Sequence, residues 1–406
     1  TLNFRGCMKR RFYEILFAVL IGLVSVSCVY DYIPEDDEIQ GLDVPLVVID
    51  GDINVGDITT VTVGYTQPLL GEEQNTLPPG VSVCVESESG EKYPGVMREG
   101  QMNVFEVDTR SLDLNGKYRL VVSVPGRGNY ISSYKKVLIS PQIDSITYTV
   151  AEDRESAKIE VTTHNDDSDD FLYCKWNYVE NWESNAVYPA TLEYNKYEDT
   201  MRELSPEEIY QRTYCFSEAK SVWTYIANTE KLSQNVIYKS ILNEIPNTDT
   251  RVMKLYSISV AQKALDRDAY CYWDNIRKNT SGTGGLFGPQ PSEMRGNIVC
   301  KENPDEVVIG YISVSTLTAK RAFIDWSKEQ IFKVDCAVVV VRHMEYTDQG
   351  EPIYMWRKYY NWGYRPWVYY DYDGIPTKDK AYFVEKEWCT DCRTYSNSTR
   401  PDFWPR

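Results

Sequence analysis

The feature that most constrains the fold is a series of short apolar segments between residues 42 and 140, separated by turn-forming residues. In residues 58–65, threonine and valine alternate, as in a strand with one buried and one solvated face. Six segments are predicted as strands: residues 45–50, 58–65, 81–86, 103–108, 117–124 and 130–139. Strands at this density over about 100 residues are typical of an immunoglobulin-like β-sandwich, which we assign to residues 42–140.

A second β-rich region with short helical insertions is predicted over residues 141–406. It is expected to begin with a hairpin, because two apolar segments flank the charged run at residues 152–155. The predicted strands of this region are residues 143–150, 157–163, 171–182, 307–314, 323–325 and 332–343. Together, the two regions make the predicted fold class mainly β.

Two helices are expected in the second region. Ser205, Pro206 and Glu208 combine an N-cap, a proline at the first helical position and a capping-box glutamate, which predicts a helix near 205–218. The other helix is expected near 266–278, where apolar residues recur on one face.

The first forty residues are predicted to direct the chain out of the cytoplasm. Basic residues after Met8 lead into an apolar run at residues 12–26, which Cys28 follows closely. This order is that of a secretory signal peptide, predicted here as residues 1–27 with the true start at Met8. A cysteine directly after the cleavage site is the residue that receives diacylglycerol in bacterial lipoproteins. We therefore expect lipid attachment, including palmitate, at Cys28.

Two alternatives to the lipid anchor stay open. The residues before the cysteine are Ser25, Val26 and Ser27, where the usual lipobox begins with leucine, so cleavage without lipidation is one alternative. The other is a transmembrane anchor, although the apolar run is short and contains Glu14. If the chain is lipidated, two or more long acyl chains hold it stably on a membrane.

Residues 28–41 are predicted to be a lipidated tether. Their acidic run at residues 35–38 resembles the signal that sends Bacteroidetes lipoproteins to the outer surface, although a solvated tether explains the same residues. The expected location is the outer membrane, lipid-anchored and exposed at the cell surface. The periplasmic face stays open as an alternative.

Charge excludes some classes of partner. The chain has 43 lysine and arginine residues against 60 aspartate and glutamate residues, and its net charge is −17 at pH 7. Nucleic-acid binding depends on basic residues that neutralise phosphates, so we expect none. Electrostatic adsorption to anionic lipid is excluded for the same reason. We interpret the acidic surface as a source of solubility rather than as a guide for a cationic ligand.

Cysteines are numerous enough for disulfides. Apart from Cys7 and Cys28, eight cysteines remain, and an exported chain meets an oxidising compartment. Cys84 and Cys336 lie beside apolar strand segments and could be small buried residues. Cys389 and Cys392 are the only close pair and are candidate disulfide cysteines, while the connectivity of the eight cysteines stays open. We favour a disulfide over zinc, because neither histidine of the chain has a ligand-like spacing.

Catalytic motifs are largely missing from the sequence. It has only two histidines, His164 and His343, and contains no Gly-x-Ser-x-Gly, His-Glu-x-x-His or phosphate-binding loop. The acidic cluster at residues 165–170 lacks the spacing of a calcium loop and is interpreted as a solvated turn. We predict no catalytic residues, no metal and no cofactor. A glycosidase carboxylate pair stays open, because its signature is three-dimensional.

The aromatic segment at residues 354–372 is the candidate binding surface. Tyrosine and tryptophan offer rigid contact area with a polar tip, which suits sugars, peptides and protein interfaces. We favour a hairpin whose rings pack on their own sheet, and an exposed recognition surface stays open as the alternative. The ten rings are Tyr354, Trp356, Tyr359, Tyr360, Trp362, Tyr364, Trp367, Tyr369, Tyr370 and Tyr372.

Several short motifs occur in a distinctive order along the chain. They are Cys28, residues 46–51 (LVVIDG), 118–122 (YRLVV), 284–287 (GGLF), 296–298 (GNI) and 304–311 (PDEVVIGY), then Cys389, Cys392 and residues 401–404 (PDFW). In this order the chain resembles the Bacteroidetes lipoprotein family called domain of unknown function 4249. Ser396 and Asn397 depart from the glycine pair expected there, so the terminal loop is expected to turn differently.

The resemblance implies an outer-membrane lipoprotein often encoded beside SusC-type TonB-dependent transporters. It supplies no catalytic residues, because the family has no established activity. Our leading hypothesis is a non-enzymatic binding or adaptor lipoprotein that works with such a transporter in the uptake of a peptide or glycan. The alternatives are a structural envelope component, assembly factor or adhesin and, less favoured, a hydrolase.

Overall fold

The computed structural model describes residues 45–67, 76–165, 170–281, 295–372, 375–397 and 399–405. The predicted signal peptide, Cys28, the tether, the centre of the acidic turn and the GGLF motif lie outside these residues. Residues from Val47 onward form one compact unit. Within the described part of the chain, no helix is long and apolar enough to cross a membrane.

The fold is mainly β, as predicted. The strands up to the middle of the chain are β1 (Val47–Gly51), β2 (Ile53–Asn54), β3 (Ile58–Tyr65), β4 (Ser82–Ser87), β5 (Lys92–Met97), β6 (Val104–Asp108), β7 (Lys117–Val124), β8 (Gly128–Ser132), β9 (Lys135–Lys136), β10 (Ile143–Val150), β11 (Ser156–His164), β12 (Tyr173–Asn185), β13 (Leu192–Asn195) and β14 (Thr200–Glu203). The later strands are β15 (Tyr214–Lys220), β16 (Tyr225–Asn228), β17 (Val236–Pro246), β18 (Leu255–Ala264), β19 (Ile298–Cys300), β20 (Val308–Ile309), β21 (Val314–Ser315), β22 (Leu317–Asp325), β23 (Val338–Arg342), β24 (Met344–Tyr346), β25 (Pro352–Tyr354), β26 (Arg365–Tyr372) and β27 (Ile375–Val384). The helices are α1 (Pro206–Thr213), α2 (Arg267–Ser281) and α3 (Met355–Asn361).

A ten-stranded sheet forms the sandwich. Its strand order is β19–β8–β7–β4–β5–β6–β3–β1–β20, with β9 beside β7. Strands at both edges of this sheet contribute side chains to one apolar core. In this core, Phe105 and Tyr130 lie among valines of β1, β3, β4 and β7. A sheet whose two ends share a core is folded over on itself, as in a β-sandwich. Strands β3 and β7 begin and end at the predicted residues.

The sandwich also contains two strands from far outside the predicted range of 42–140. Strand β19 pairs with β8, and β20 lies parallel to β1 with Val308 opposite Val47. Gly310 makes this approach possible, because a Cβ there would lie 2.0 Å from the carbonyl oxygen of Ile49. A parallel partner arrives by a long crossover, so the local sequence pattern does not reveal it.

The second region contains a three-stranded sheet, β10–β11–β17, and a five-stranded sheet, β15–β12–β18–β22 with β16 beside β12. The hairpin predicted around residues 152–155 is present as β10 and β11. Both sheets contribute to a second apolar core around Trp176 and Trp326, whose side chains are fully buried. This region is therefore a packed β structure with its own interior.

Helix α1 begins where the sequence predicts. Ser205 accepts a hydrogen bond from the Glu208 backbone, and the Glu208 side chain accepts one from the Ser205 backbone, which completes the capping box. The prediction of helix to residue 218 was wrong. The chain leaves the helix after Thr213 because the next residues pair with β12 as strand β15. Helix α2 covers the predicted 266–278 segment and buries Ala269.

Three charged residues join the sandwich to the five-stranded sheet. Lys175 Nζ lies 2.6 Å and Lys263 Nζ 3.2 Å from Oδ2 of Asp52, which is 4% exposed. The lysines are directly opposite each other on β12 and β18. Burial alone would raise the pKa of Asp52, but the two ammonium groups outweigh burial and hold it well below its usual value. Burial lowers the pKa of Lys263.

Two disulfides connect the last part of the chain to earlier segments, and they contain both candidate cysteines, Cys389 and Cys392. Cys389 and Cys392 do not pair with each other: Cys392 bonds to Cys215 in β15, and Cys389 bonds to Cys336. Cys336 is therefore not the free buried residue expected from its apolar neighbours. The two close cysteines lie in consecutive short helical turns, and each reaches a different part of the fold.

Candidate functional site

The predicted aromatic surface is mostly interior packing. Strands β23, β27 and β26 form a three-stranded sheet that α3 covers, and we call β23 to β27 with α3 the aromatic module. Trp356 is 3% exposed, whereas Tyr354 is 41% and Trp362 60% exposed. The half-buried rings are Tyr359, Tyr360, Tyr364, Trp367, Tyr369 and Tyr370. The side chain of Tyr372 lies outside the described residues.

These rings are buried or half-buried because they contact other groups of the fold. Trp356 Nε1 donates a hydrogen bond to the Val341 carbonyl at 3.2 Å. The Tyr360 ring contacts that of Tyr194 in β13, with centroids 5.2 Å apart. Aromatic pairs at such distances add to the free energy gained by burial. The rings of this segment therefore belong largely to the packing of the module, and only Tyr354 and Trp362 are exposed among those whose side chains are described.

A cavity of about 340 Å³ remains on the aromatic module. It opens between α3 and the strands, and both apolar and charged side chains face it. The lining residues are Val340, Val341, Arg342, Glu345, Met355, Tyr359, Tyr370 and Lys380. Two of the predicted surface residues, Tyr359 and Tyr370, are thus brought together in a concave site, while the other rings support it or lie apart from it.

Two cations and one carboxylate, that of Glu345, line this cavity, so its lining carries a net positive charge. Arg342 in β23 is directly opposite Lys380 in β27. Like charges in directly opposed positions destabilise a sheet. Neither side chain forms an ion pair with any carboxylate in the described part of the chain, and Lys380 Nζ lies 5.6 Å from the Tyr370 ring centroid. An anionic group bound here would relieve the repulsion and contact a tyrosine ring at the same time.

A polar cluster beside the cavity holds the β13–β14 hairpin against the module. His343 Nε2 lies 2.9 Å from Oδ2 of Asp199, and the Tyr194 hydroxyl donates a hydrogen bond to Oδ1 of the same carboxylate. Burial, and then the carboxylate, raises the pKa of Tyr194 to about 12, so the hydroxyl stays protonated and donates. The His343 ring also stacks on Trp356, with centroids 4.3 Å apart. These contacts fix the shape of the module.

Asp199 carries backbone strain in this cluster. Its φ is +57°, in the left-handed region that a non-glycine residue rarely adopts. Sequence reasoning did not find this residue, and it assigned His343 only to the end of a strand. The hairpin turn before Asp199 is the local signal that was available, because aspartate tolerates this conformation better than most residues.

A larger cavity, of about 420 Å³, lies between the sandwich and α2. Several of its polar lining groups already have partners in the fold. Lys135 pairs with Asp266 at 2.8 Å, and the Asn297 amide donates to Ser133 and to the Ile312 carbonyl. These groups need no ligand to satisfy them, so the smaller cavity is the better candidate site.

No group of three or more histidine, cysteine, aspartate or glutamate side chains in the described ranges is arranged to hold a metal ion. The candidate cavity offers a single carboxylate, Glu345, beside two cations. The chemistry that the site supports is therefore recognition of an anion by charge and by aromatic contact.

Comparison with known families identifies the chain. Residues 31–321 match the family described as "Domain of unknown function (DUF4249)". The chain belongs to this family. The resemblance found in the sequence motifs is thereby confirmed. The aromatic module of this DUF4249 protein follows the matched residues, so the candidate cavity lies outside them.

Comparison with characterised proteins adds little to this result. No curated protein matches the chain. Among solved structures, it is similar to a DUF4785 family protein from Legionella pneumophila, with 10% identity, 53% of this chain and 52% of that chain covered, and a TM-score of 0.17. It is also similar to the FN1–FN3 domains of chicken CNTN1, with 10% identity, 55% and 62% covered, and a TM-score of 0.19. The chain thus spans about half to three fifths of these proteins.

Proposed function

We propose that this DUF4249 protein is a non-enzymatic binding or adaptor lipoprotein, anchored at the outer membrane and exposed at the cell surface. It works beside a SusC-type TonB-dependent transporter in the uptake of a peptide or glycan. The observation that carries the binding role is the cavity in which Arg342 and Lys380 are opposed without an ion pair among the described residues. The order of basic residues, apolar run and Cys28 supports the anchor.

The cavity favours a ligand that bears a carboxylate. Arginine can bind a carboxylate through two parallel hydrogen bonds, and lysine adds a second positive charge. Tyr359 and Tyr370 provide ring contacts for a sugar or an extended peptide. Because the whole chain has a net charge of −17, a local cationic site also gives such a ligand one preferred place to bind.

Calorimetry with defined probes tests the binding role. The probes are an oligogalacturonate and a hexaglutamate peptide, which distinguish glycan from peptide, with neutral maltohexaose as the comparison ligand. We expect one anionic probe to bind and the double variant Arg342→Gln/Lys380→Gln to weaken it at least tenfold. Affinity should also fall as salt rises, because these charges are partly exposed.

Lys358→Gln is the matched control for this experiment. Lys358 is an exposed cation of the same module, 4.9 Å from the Trp362 ring, and does not line the cavity. The Lys358→Gln substitution removes a positive charge outside the cavity. The affinity for the anionic probe should therefore stay within twofold of that of the original protein. Equal losses for the control and the double variant, or no binding of either probe, would contradict the proposed site.

A separate experiment tests the anchor and the partner. Radiolabelled palmitate should enter the protein and not its Cys28→Ser variant. Copurification in mild detergent should bring down a TonB-dependent barrel. Recovery of assembly machinery or host matrix protein instead would support the structural alternative, and an unlabelled protein would remove the lipid anchor.

A further inference from the structure

We propose that the ligand of the candidate cavity is an extended acidic peptide that adds a strand to the outer edge of β23. This inference rests on the anion-binding cavity of the proposed function. It selects a peptide over a glycan and gives the binding mode. Strand β23 lies at one side of the three-stranded sheet β23–β27–β26. We call its outer side, from Val338 to Arg342, the β23 edge.

The opposite edge of this sheet is covered by the fold. Strand β13 lies beside β26, where the backbone N–H of Thr191 donates a hydrogen bond of 2.7 Å to the Trp367 carbonyl. In the described part of the chain, β23 pairs with β27 alone, and the side chain of Val340 is 47% exposed. The β23 edge is therefore the side on which a further strand can be added to the sheet.

Backbone groups of β23 alternate in direction. The Ala337 carbonyl accepts a hydrogen bond from the residue after β27, and the His343 N–H donates one to a carbonyl of β27. Opposite residues of an antiparallel pair alternate between bonded and non-bonded positions, and the register of β23 with β27 is unbroken. The N–H and carbonyl groups of residues 338, 340 and 342 therefore point outward. Among the described residues, none bonds to these outward groups.

The two faces of β23 divide the cavity lining into a cationic side and an apolar side. Successive side chains of a strand point to opposite faces. Arg342 is directly opposite Lys380, so both cations lie on one face. Val341 lies on the other face, which α3 covers with Met355 and Tyr359. Because residues of both faces line the same cavity, the cavity reaches around the β23 edge.

An added strand would match both sides of the cavity at once. Alternate side chains of an extended peptide also point to opposite faces. Acidic side chains would lie beside Arg342 and Lys380, and apolar ones beside Met355 and Tyr359. A glycan has no row of N–H and carbonyl groups to pair with the β23 edge. In strand addition, backbone hydrogen bonds supply affinity and the pockets for alternate side chains supply specificity.

Charge favours an acidic peptide over a second copy of this chain. The cavity lining has two cations and the single carboxylate of Glu345, so it is net positive. Two copies paired edge to edge would bring two sets of Arg342 and Lys380 to one junction, where like charges destabilise a sheet. A peptide with glutamate at alternate positions would instead compensate these cations.

Two N-methylated isomers of one peptide test the backbone pairing on the unchanged full chain. The parent probe is an acetylated and amidated hexapeptide that alternates glutamate and valine, and calorimetry measures its binding. Methyl groups on the three glutamate amides remove the N–H donors of one peptide edge. Methyl groups on the three valine amides remove those of the other edge. The isomers have the same charge and composition, so each is the matched control of the other.

We expect the parent peptide to bind, methylation of one set to weaken it at least tenfold, and methylation of the other set to change affinity less than threefold. In antiparallel pairing, a glutamate opposite Arg342 occupies a hydrogen-bonded position, so the glutamate amides face β23 and their methylation causes the loss. In parallel pairing, the valine amides face β23. Either selective loss supports the inference and gives the direction of the peptide.

A variant of the protein tests the same bonds from the other side. Val340→Pro removes one outward N–H, and because this N–H does not face β27, the existing sheet should be retained. Val340→Thr is the matched control, since threonine is also β-branched and keeps the N–H. The proline variant should bind the parent peptide at least tenfold more weakly, and the threonine variant should stay within threefold. Thermal unfolding of both variants checks that the sheet is intact.

Three results would overturn this inference and keep the cationic cavity of the proposed function. They are equal affinity of the two methylated isomers, binding of the oligogalacturonate without binding of the peptide, and a dimer of the full chain in sedimentation that Val340→Pro dissociates. The last result would assign the β23 edge to a second copy. Failure of every anionic probe to bind would remove the proposed binding site and this inference together.

Discussion

At the scale of single residues, the buried ion cluster shows how charge is used to join two parts of the fold. Lys175 and Lys263 are opposed on neighbouring strands, and Asp52 reaches both from a different sheet. The Lys175 ammonium also lies 4.3 Å from the Trp273 ring centroid. Removing one partner of a buried ion cluster lowers the free energy of unfolding strongly, because the remaining charges stay buried without compensation. Replacing the whole cluster by well-packed apolar residues has a much smaller effect.

We predict that Asp52→Asn lowers the free energy of unfolding by about 3 kcal/mol at pH 7, because it leaves two ammonium groups without their carboxylate. The pKa of Asp52 is depressed in the fold. Its stabilising contribution is therefore complete above the unfolded pKa, about 4, and is lost as the pH falls toward the lower folded value. Urea unfolding at pH 7 and pH 3 measures both effects.

The exposed Asp348 provides the control, because Asp348→Asn removes the same charge from a surface turn. Its free energy of unfolding should stay within about 0.5 kcal/mol of the original protein. If Asp52→Asn changes stability no more than this control, the cluster does not hold the two parts together.

At the scale of elements, α3 separates the aromatic rings into interior and surface groups. Met355 and Trp356 begin the helix against the sheet, whereas Trp362 caps its end in solvent. The sequence therefore contains tryptophans of very different roles only six residues apart. A combined alanine substitution of Trp356, Trp362 and Trp367 would mix loss of folding with loss of binding.

We predict that Trp356→Ala lowers the free energy of unfolding by about 3 to 5 kcal/mol, because it empties a buried site and removes the hydrogen bond to Val341. Trp362→Ala, at an exposed position, should cost less than about 1 kcal/mol. Thermal unfolding of the two variants side by side measures the difference. Similar losses for both would mean that the helix does not bury Trp356.

Local sequence patterns predict single strands and helices well in this chain. They predict poorly which strands pair with each other. Alternation of apolar and polar residues predicted β3, β7 and the β10–β11 hairpin, and capping chemistry predicted the start of α1. The parallel pairing of β1 with β20 depends on residues far apart in the sequence, so no local pattern contains it.

The candidate cavity was predictable only in part. Tyr359 and Tyr370 were selected for their aromatic chemistry, which is visible in the sequence. Arg342 and Lys380 were missed, because their opposition is a matter of register between two strands. The same limit explains the disulfides: the spacing of Cys389 and Cys392 suggested a pair, while topology gave each a distant partner.

At the scale of the whole molecule, the disulfides attach the end of the chain to the second region. The bond from Cys215 to Cys392 spans 177 residues, and the bond from Cys336 to Cys389 spans 53. Loops of this length gain stability from cross-linking mainly because the unfolded chain loses freedom. The aromatic module lies between these attachment points.

We predict that Cys392→Ser or Cys389→Ser lowers the free energy of unfolding by about 2 to 5 kcal/mol. Peptide mapping without reduction should recover the 215–392 and 336–389 links. Cys271→Ser is the control, since Cys271 is free and exposed, and should leave stability unchanged. A recovered link between Cys389 and Cys392 would contradict the structure.

The late strands of the sandwich also bear on biogenesis. One edge of strand β1 stays unpaired until β20 has been made. In the same way, one edge of β8 stays unpaired until β19 has been made. Bare strand edges pair readily with other chains. A chain that is synthesised from its amino terminus therefore carries two unpaired strand edges until the late strands have been made. Premature association with other chains is therefore most favoured in the interval between the synthesis of Val47 and that of Val308.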